Sequence, residues 1–305
     1  MGGTKLAPLW RMNVKTEREL LATLPADNAV ETQSRSDCWS ASLHLAFGVQ
    51  GHRTTLRYQH LGPLRIQKAL YPDGPACCQA VIVHPPGGIA GGDDLRLSVS
   101  VEPKAHACVT TPAATKWYGS FDKAWAWQTV EIDLHGRLEW LPCETIIFDQ
   151  ARVQSKLSIK AGRTASMLGW DLLIFGRHGS GELFNQGHFN QWLSVAFDDD
   201  VVWLERLSLA GADRLFDSPI GFNGCHAMSC LWSIAPADQP WTDDLMDQLR
   251  HEVLDILVTR LHPRLLVVRQ CGDPIDLRRS MQQAWHWFKE QAWQLPANPL
   301  RLWAT

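Results

Sequence analysis

The segment AVIVHPPGGIAGGDDLRLSVSVE, Ala80–Glu102, decides how the chain is read. After the loop, Leu95, Leu97, Val99 and Val101 alternate with polar residues, which is the period of a half-buried strand; before it, Ala80–Val83 is a short β-branched block. Between them lie Gly87, Gly88, Gly91 and Gly92, preceded by His84 and two prolines. A glycine-rich loop raises the question of a phosphate cradle, because glycine lets backbone N–H groups approach an anion. The spacing from Gly87 to Gly92 fits a Walker loop, but Asp93 stands where the lysine belongs, and a carboxylate there repels phosphate. The dinucleotide fingerprint fails too: the glycines fall in the wrong order and no helical pattern follows to offer its N-terminus to an anion. The segment therefore reads as strand, glycine turn, strand, with Asp93 and Asp94 available to a cation or a partner.

The same alternation runs through most of the chain. WSASLHLAFGVQGHRTTLRYQH, from Trp39, has period two broken at Gly51 and predicts a hairpin. LRLSVSVE, HACVTTP, AWQTVEIDL, GRLEWLP, ETIIFD and VQSKLSIKAG are further strands bounded by Gly, Pro, Asp or Asn. Two segments near the C-terminus differ. LMDQLRHEVLDILVTRL spaces Leu245, Leu249, Val253, Ile256 and Leu257 at helical intervals behind Asp243 and Asp244. DPIDLRRSMQQAWHWFKEQAW predicts a second helix with Asp273 as N-cap, Pro274 in the first turn and a stripe of Leu277, Met281, Ala284, Trp285, Phe288 and Ala292. A short apolar strand, LLVVRQCGD, joins them. The expected fold is mainly β, a large layered or crossed β-sheet structure with two α-helices near the C-terminus. Residues 1–36 mix charge, Pro and Ser without periodicity and read as a flexible N-terminal arm; 37–305 read as a single domain.

Composition narrows the function. The net charge of −3 and the scattered lysines and arginines argue against nucleic acid as a partner. No apolar run reaches the length of a membrane span and no signal pattern opens the chain, so a cytoplasmic protein is expected. Eight cysteines, scattered apart from Cys77–Cys78, give no disulfide framework. Fifteen tryptophans against three tyrosines suit a large core, with some rings left for a partner to cover. Nucleophilic chemistry finds little support: around Ser180 the elbow pattern fails at His178, and Cys143 has no activating signature.

His106 and Cys108 lie two apart on one strand face and form half of a metal site, to which Cys77, Cys78, His84, Cys225 and His226 are possible additions. Without a closed four-ligand spacing, any metal held by this pair is expected to be weak. Glu139, Glu144, Asp149 and Glu182 sit in apolar strand or glycine-bend surroundings; carboxylates there are costly to bury unless paired or wet, so each either lines a hydrated passage, faces a partner or takes an ordinary solvent-facing strand position.

Taken in order, GPLRIQKALYPDG, HPPGGIAGGDDL, TTPAATKWYGS, LEWLPCETIIFD, LGWDLLIFGRHGSGE, WLERLSL and the terminal PLRLWAT resemble the urease accessory protein family UreD, called UreH in some organisms. The resemblance runs from about Trp39 to the end. Cys143 stands where a glutamine is usual, Asp171 where a glutamate is common, and the N-terminal arm is long for the family. The resemblance implies a large layered β fold and a non-enzymatic chaperone that binds apo-urease. It also implies that, through the helical accessory protein UreF, such a protein recruits the GTPase UreG, and that nickel passes transiently without a tightly bound cofactor. Under this reading Asp93, Glu144, Asp149 and Glu182 are candidates for a nickel path or for partner contacts, and His84 with Gly87, Gly88, Gly91 and Gly92 form the motif loop. The rival readings are a stand-alone β-sandwich binding module for carbohydrate and a hydrolase built on Cys143 or Ser180.

Overall fold

The computed structural model describes residues 39–253 and 256–304. The expected arm, residues 1–36, lies outside them. The alternating segments form seventeen strands among the described residues. In chain order these begin with β1 (Ser40–Gln50), β2 (Arg53–Leu61), β3 (Arg65–Ile66), β4 (Cys77–Val83), β5 (Asp94–Val101) and β6 (His106–Thr110). They continue with β7 (Thr115–Trp117), β8 (Ala126–Leu134), β9 (Arg137–Leu141), β10 (Thr145–Ile147), β11 (Arg152–Ala161) and β12 (Ser166–Phe175). The last are β13 (His188–Phe197), β14 (Asp200–Ala210), β15 (Ala227–Ile234), β16 (Leu257–His262) and β17 (Leu265–Cys271). The helices are α1 (Asp243–Glu252) and α2 (Pro274–Trp287).

Two sheets result. One has seven strands in the order β14-β13-β11-β8-β5-β1-β2; the other has ten, along β16-β17-β15-β12-β9-β6-β4-β3 with β10 and β7 attached. β1, β5, β8, β11 and β13 run parallel, as do β4, β6, β9 and β12. Parallel neighbours need a long crossover, which in most folds is a helix. Here the crossover is a strand of the facing sheet, because from β4 to β13 the chain alternates between the sheets, apart from the short β7 and β10, which follow β6 and β9 within the ten-stranded sheet. The Gly87–Gly92 loop is thus a bridge from one sheet to the other. The hairpin at Gly51 forms as its alternation requires, with Gln50 opposite Arg53.

Strand parity places the core. In β12, Met167, Leu173 and Phe175 join the core between the sheets, while Leu168, Trp170, Leu172 and Ile174 face a second core under the helices. Buried on both faces, such a strand reads as an unbroken apolar run. Nine described tryptophans are buried, so most of that load is core, whereas Trp39 is exposed.

The helices follow their caps. Thr242 accepts from the Leu245 N–H, and Asp273 accepts from the Ile275 N–H at 2.8 Å. The first helix is shorter than its periodicity predicts: Val253 is already extended, and Leu257–His262 pair with β17 as β16. The β-branched Val258 and Thr259 satisfy their backbone groups in that antiparallel ladder, which outweighs the helical spacing of Ile256 and Leu257. After α2 the chain tightens into a π-turn, Phe288–Ala292, that carries Lys289 on the buried side.

Candidate functional site

Between the sheets lies a cavity of about 240 Å³. Its walls are apolar side chains that the period-two pattern turns inward, among them Leu95, Leu97, Val130 and Leu157 from one sheet and Val109, Trp140 and Leu173 from the other. At one end His84, Gly87 and Gly88 meet the Thr111–Lys116 segment. The loop glycines are required there. Gly87 and Gly92 have φ of 79° and 94°, the region only glycine adopts freely, and a Cβ on Gly88 would overlap the Tyr118 ring. His84 is pulled below its ordinary pKa by burial, against the opposing effect of Asp93.

The polar lining gathers at Gln128, Ser155, Lys156, Asp171 and Gln191. Asp171, on β12, accepts from the Gln191 amide of β13 at 3.0 Å, so one hydrogen bond joins the two sheets across the cavity. What surface Asp171 keeps faces this interior space. Burial raises its pKa to about 7, only partly offset by Gln191. A smaller void of about 10 Å³ adjoins, lined by the same Asp171, Leu173 and Gln191 and then by Glu205, Met228 and Cys230; it is about the size of one water. Glu205 is held by Arg269 and by the Trp203 indole at 3.2 Å. Asp171 is shared by the two spaces, and Glu205 lines the smaller one.

The four carboxylates singled out in the sequence do not converge on this cavity. Asp93 accepts from the Ala90 N–H at 2.8 Å within the glycine loop. Asp149 accepts from the N–H groups of Asn185 and Gln186 at 2.8 and 2.7 Å, and Glu182 holds the Arg177 guanidinium beside it. Glu144 pairs with Arg278 of α2 and lines a separate cavity with Cys143 and Met281. Cys143 donates to the Thr111 carbonyl at 3.3 Å, and burial pushes its thiol up, away from the thiolate a nucleophile needs. Ser180 lies in an exposed 3-10 turn.

His106 and Cys108 share the helix-facing side of β6, as expected, but the donor atoms that cluster are Cys77, His106 and Glu139, all within 4.8 Å of one another. In register, Cys77 lies opposite His106, and Glu139 opposite Cys108. His106 Nε2 is 2.8 Å from Glu139 Oε1, while Trp285 Nε1 donates to Glu139 Oε2 at 2.7 Å. Lys289 Nζ lies 3.3 Å from Glu139 Oε1 and 4.0 Å from Asp73 Oδ2. Burial pushes the Glu139 carboxyl up, but His106, Lys289 and the indole N–H outweigh it and hold it below the usual range. Cys78 points the other way, into the inter-sheet core, and His226, just before β15, stacks on Phe216 and lies tilted beside His178.

Two residues escaped sequence reasoning. Asp171 is the only acid in SMLGWDLLIF, a signal available in the sequence. Lys289 falls four residues after Trp285, in the buried π-turn that continues α2, and is met there by a counter-charge.

Two stacked sheets joined around an apolar-walled cavity that Asp171 enters, with a helical layer on one side, define a β scaffold with an internal cavity. The chain belongs to the UreD urease accessory protein family, whose model matches residues 40–304. A UreD from Cupriavidus pinatubonensis is 40% identical over 280 residues, covering 88% of this chain and 95% of that protein. One from Pseudomonas fluorescens is 39% identical over 287 residues, covering 92% and 99%; one from Ralstonia nicotianae is 37% identical over 278 residues, covering 88% and 94%. This membership gives the chain a role in urease maturation.

Proposed function

We propose that the chain is a non-catalytic chaperone and scaffold of urease maturation: it binds apo-urease and, with UreF and the GTPase UreG, supports delivery of nickel into the urease site. The observation that carries the nickel part is the inter-sheet cavity with Asp171 and Gln191 across it and Glu205 beyond. Borderline cations move best between weak oxygen donors that bind without trapping, and a single carboxylate hydrogen-bonded to one amide is such a donor. Nickel is the cargo here, held transiently. Asp93, Glu144, Asp149 and Glu182 serve on this reading as partner-facing groups or at the approaches to the passage, and the motif loop shapes one end of it. Among the described residues no helix is long and apolar enough to cross a membrane, which suits work in the cytoplasm.

The test is to plug the passage without touching the surface. Val130→Trp fills the cavity and Asp171→Asn removes its charge. Each is expected to lower the nickel content of co-expressed urease while leaving co-purification with UreF and urease intact. Full nickel loading by both variants would refute the passage.

A further inference from the structure

We propose that Cys77, His106 and Glu139 form a binding site for a thiophilic divalent metal ion, zinc above all, in which the metal takes the place now held by the Lys289 ammonium. The site lies on the opposite face of the ten-stranded sheet from the inter-sheet cavity, and it stands whether or not nickel moves through that cavity.

The geometry begins with three parallel strands. β4, β6 and β9 present Cys77, His106 and Glu139 on one face, and the register sets sulfur, nitrogen and oxygen donors side by side, with their ligand atoms within 4.8 Å. Tetrahedral zinc, with bonds of about 2.0–2.3 Å, needs donors separated by about 3.5 Å, so the set closes with shifts on the order of 1 Å. Thiolate, imidazole and carboxylate together select zinc over harder cations. Cys108 shares the face opposite Glu139 and offers a second sulfur.

Lys289 supplies the second observation. Its ammonium, on the π-turn after α2, sits 3.3 Å from Glu139 Oε1, where a cation is wanted, yet it also has Asp73 Oδ2 at 4.0 Å and the Trp285 ring at 4.9 Å. π-turns recur at functional positions because they aim one side chain off the regular register. Binding would proceed with loss of the Cys77 proton to solvent and withdrawal of Lys289 from Glu139 to Asp73. The remaining charged neighbour is Arg137, whose guanidinium stacks on Trp293 and whose buried Nε has no partner. His106 keeps 12% of its side-chain surface at the rim near Asp73 and Lys289, which gives the ion a way in. Since Trp285, Lys289 and Trp293 all touch this cluster, the ion would fasten the C-terminal helical layer to the sheet.

Cobalt(II) is the spectroscopic probe, titrated after chelator treatment into the full chain kept soluble in complex with UreF, and then displaced with zinc. The expected result is one equivalent of a tetrahedral visible spectrum with a thiolate charge-transfer band, and a zinc-dependent rise in melting temperature. Cys77→Ser, which keeps the size of the side chain, should weaken binding by at least about tenfold and remove the band. Lys289→Met should tighten binding by about tenfold, because the competing ammonium is gone. If Lys289→Met folds poorly, a larger zinc-induced rise in its melting temperature than in the wild type reads the same effect. A cobalt spectrum without a thiolate band, a preference for six-coordinate nickel, or equal zinc stabilisation in the wild type and Cys77→Ser would each overturn the site.

Discussion

Replacing Asp171 by asparagine tests the physical basis of the proposed passage. The carboxyl lies between two sheets with one hydrogen-bond donor, the Gln191 amide, and desolvation lifts it from the ordinary 3.8 to about 7. That difference corresponds to about 4 kcal/mol favouring the neutral acid in the folded chain. Because the folded pKa is the higher one, the native state holds its proton longer than the unfolded state. Asp171 therefore costs nothing well below pH 4, costs progressively more from about pH 4 to 7, and imposes its full penalty above. Asparagine has the same shape, can accept from Gln191 and never ionises. At pH 8 the variant should be more stable by about 2–4 kcal/mol, the lower value allowing for water in the cavity, or roughly 4–10 °C in melting temperature. The assay is thermal unfolding followed by tryptophan fluorescence from pH 4 to 8.5, reading only the difference between variant and wild type. That difference should be near zero at the acid end, grow from about pH 4 and level off just above pH 7. A difference independent of pH, or a destabilised variant at pH 8, would refute the account of a desolvated carboxylate facing the cavity.

Other outcomes follow from single contacts. Glu139→Ala strands Lys289 and His106 without their buried counter-charge and should cost about 3–5 kcal/mol in chemical denaturation; a loss below 1 kcal/mol would contradict the pairing. Gly88→Ala places a methyl against the Tyr118 ring and should cost about 1–3 kcal/mol, whereas Gly179→Ala, with open space around it, should stay within about 0.5 kcal/mol. Expression alone should give poorly soluble protein that co-expression with UreF rescues, because Trp39, Phe121 and Ile220 stand 67%, 91% and 95% exposed; stable monomeric material without a partner would count against partner-covered surfaces.

Local signals in the sequence carried a large part of the fold. Gly51 marks a hairpin because its backbone turns at positive φ between alternating runs, and Asp273–Pro274 marks a helix start because the cap and the fixed proline angle act within one turn. The end of α1 was misread: spacing alone favoured helix through Leu257, and only the partner strand β17 decides otherwise. The weave of the sheets was hidden for the same reason. Ala80–Val83 and Asp94–Val101 read as two strands joined by a glycine turn, with no sign in the sequence that they belong to different sheets, since pairing is set by strands distant in sequence. Of the sites, the His106–Cys108 face was legible from strand parity. Cys77 and Glu139 were not joined to it, because no spacing rule connects three separate strands. Asp171 was visible as one acid in an apolar strand, but which face it took depended on the strand being buried on both sides.

The central claim is that this chain is needed for nickel to reach urease. The most direct measurement is the nickel content of urease purified from cells that express the urease subunits with UreF and UreG, in the presence and absence of this chain. The account predicts nickel-poor, inactive urease without the chain and restoration of both metal and activity with it, together with co-purification of the chain on the nickel-poor enzyme. Urease equally loaded with nickel in both cultures, at the low nickel supply where unassisted loading fails, would contradict it.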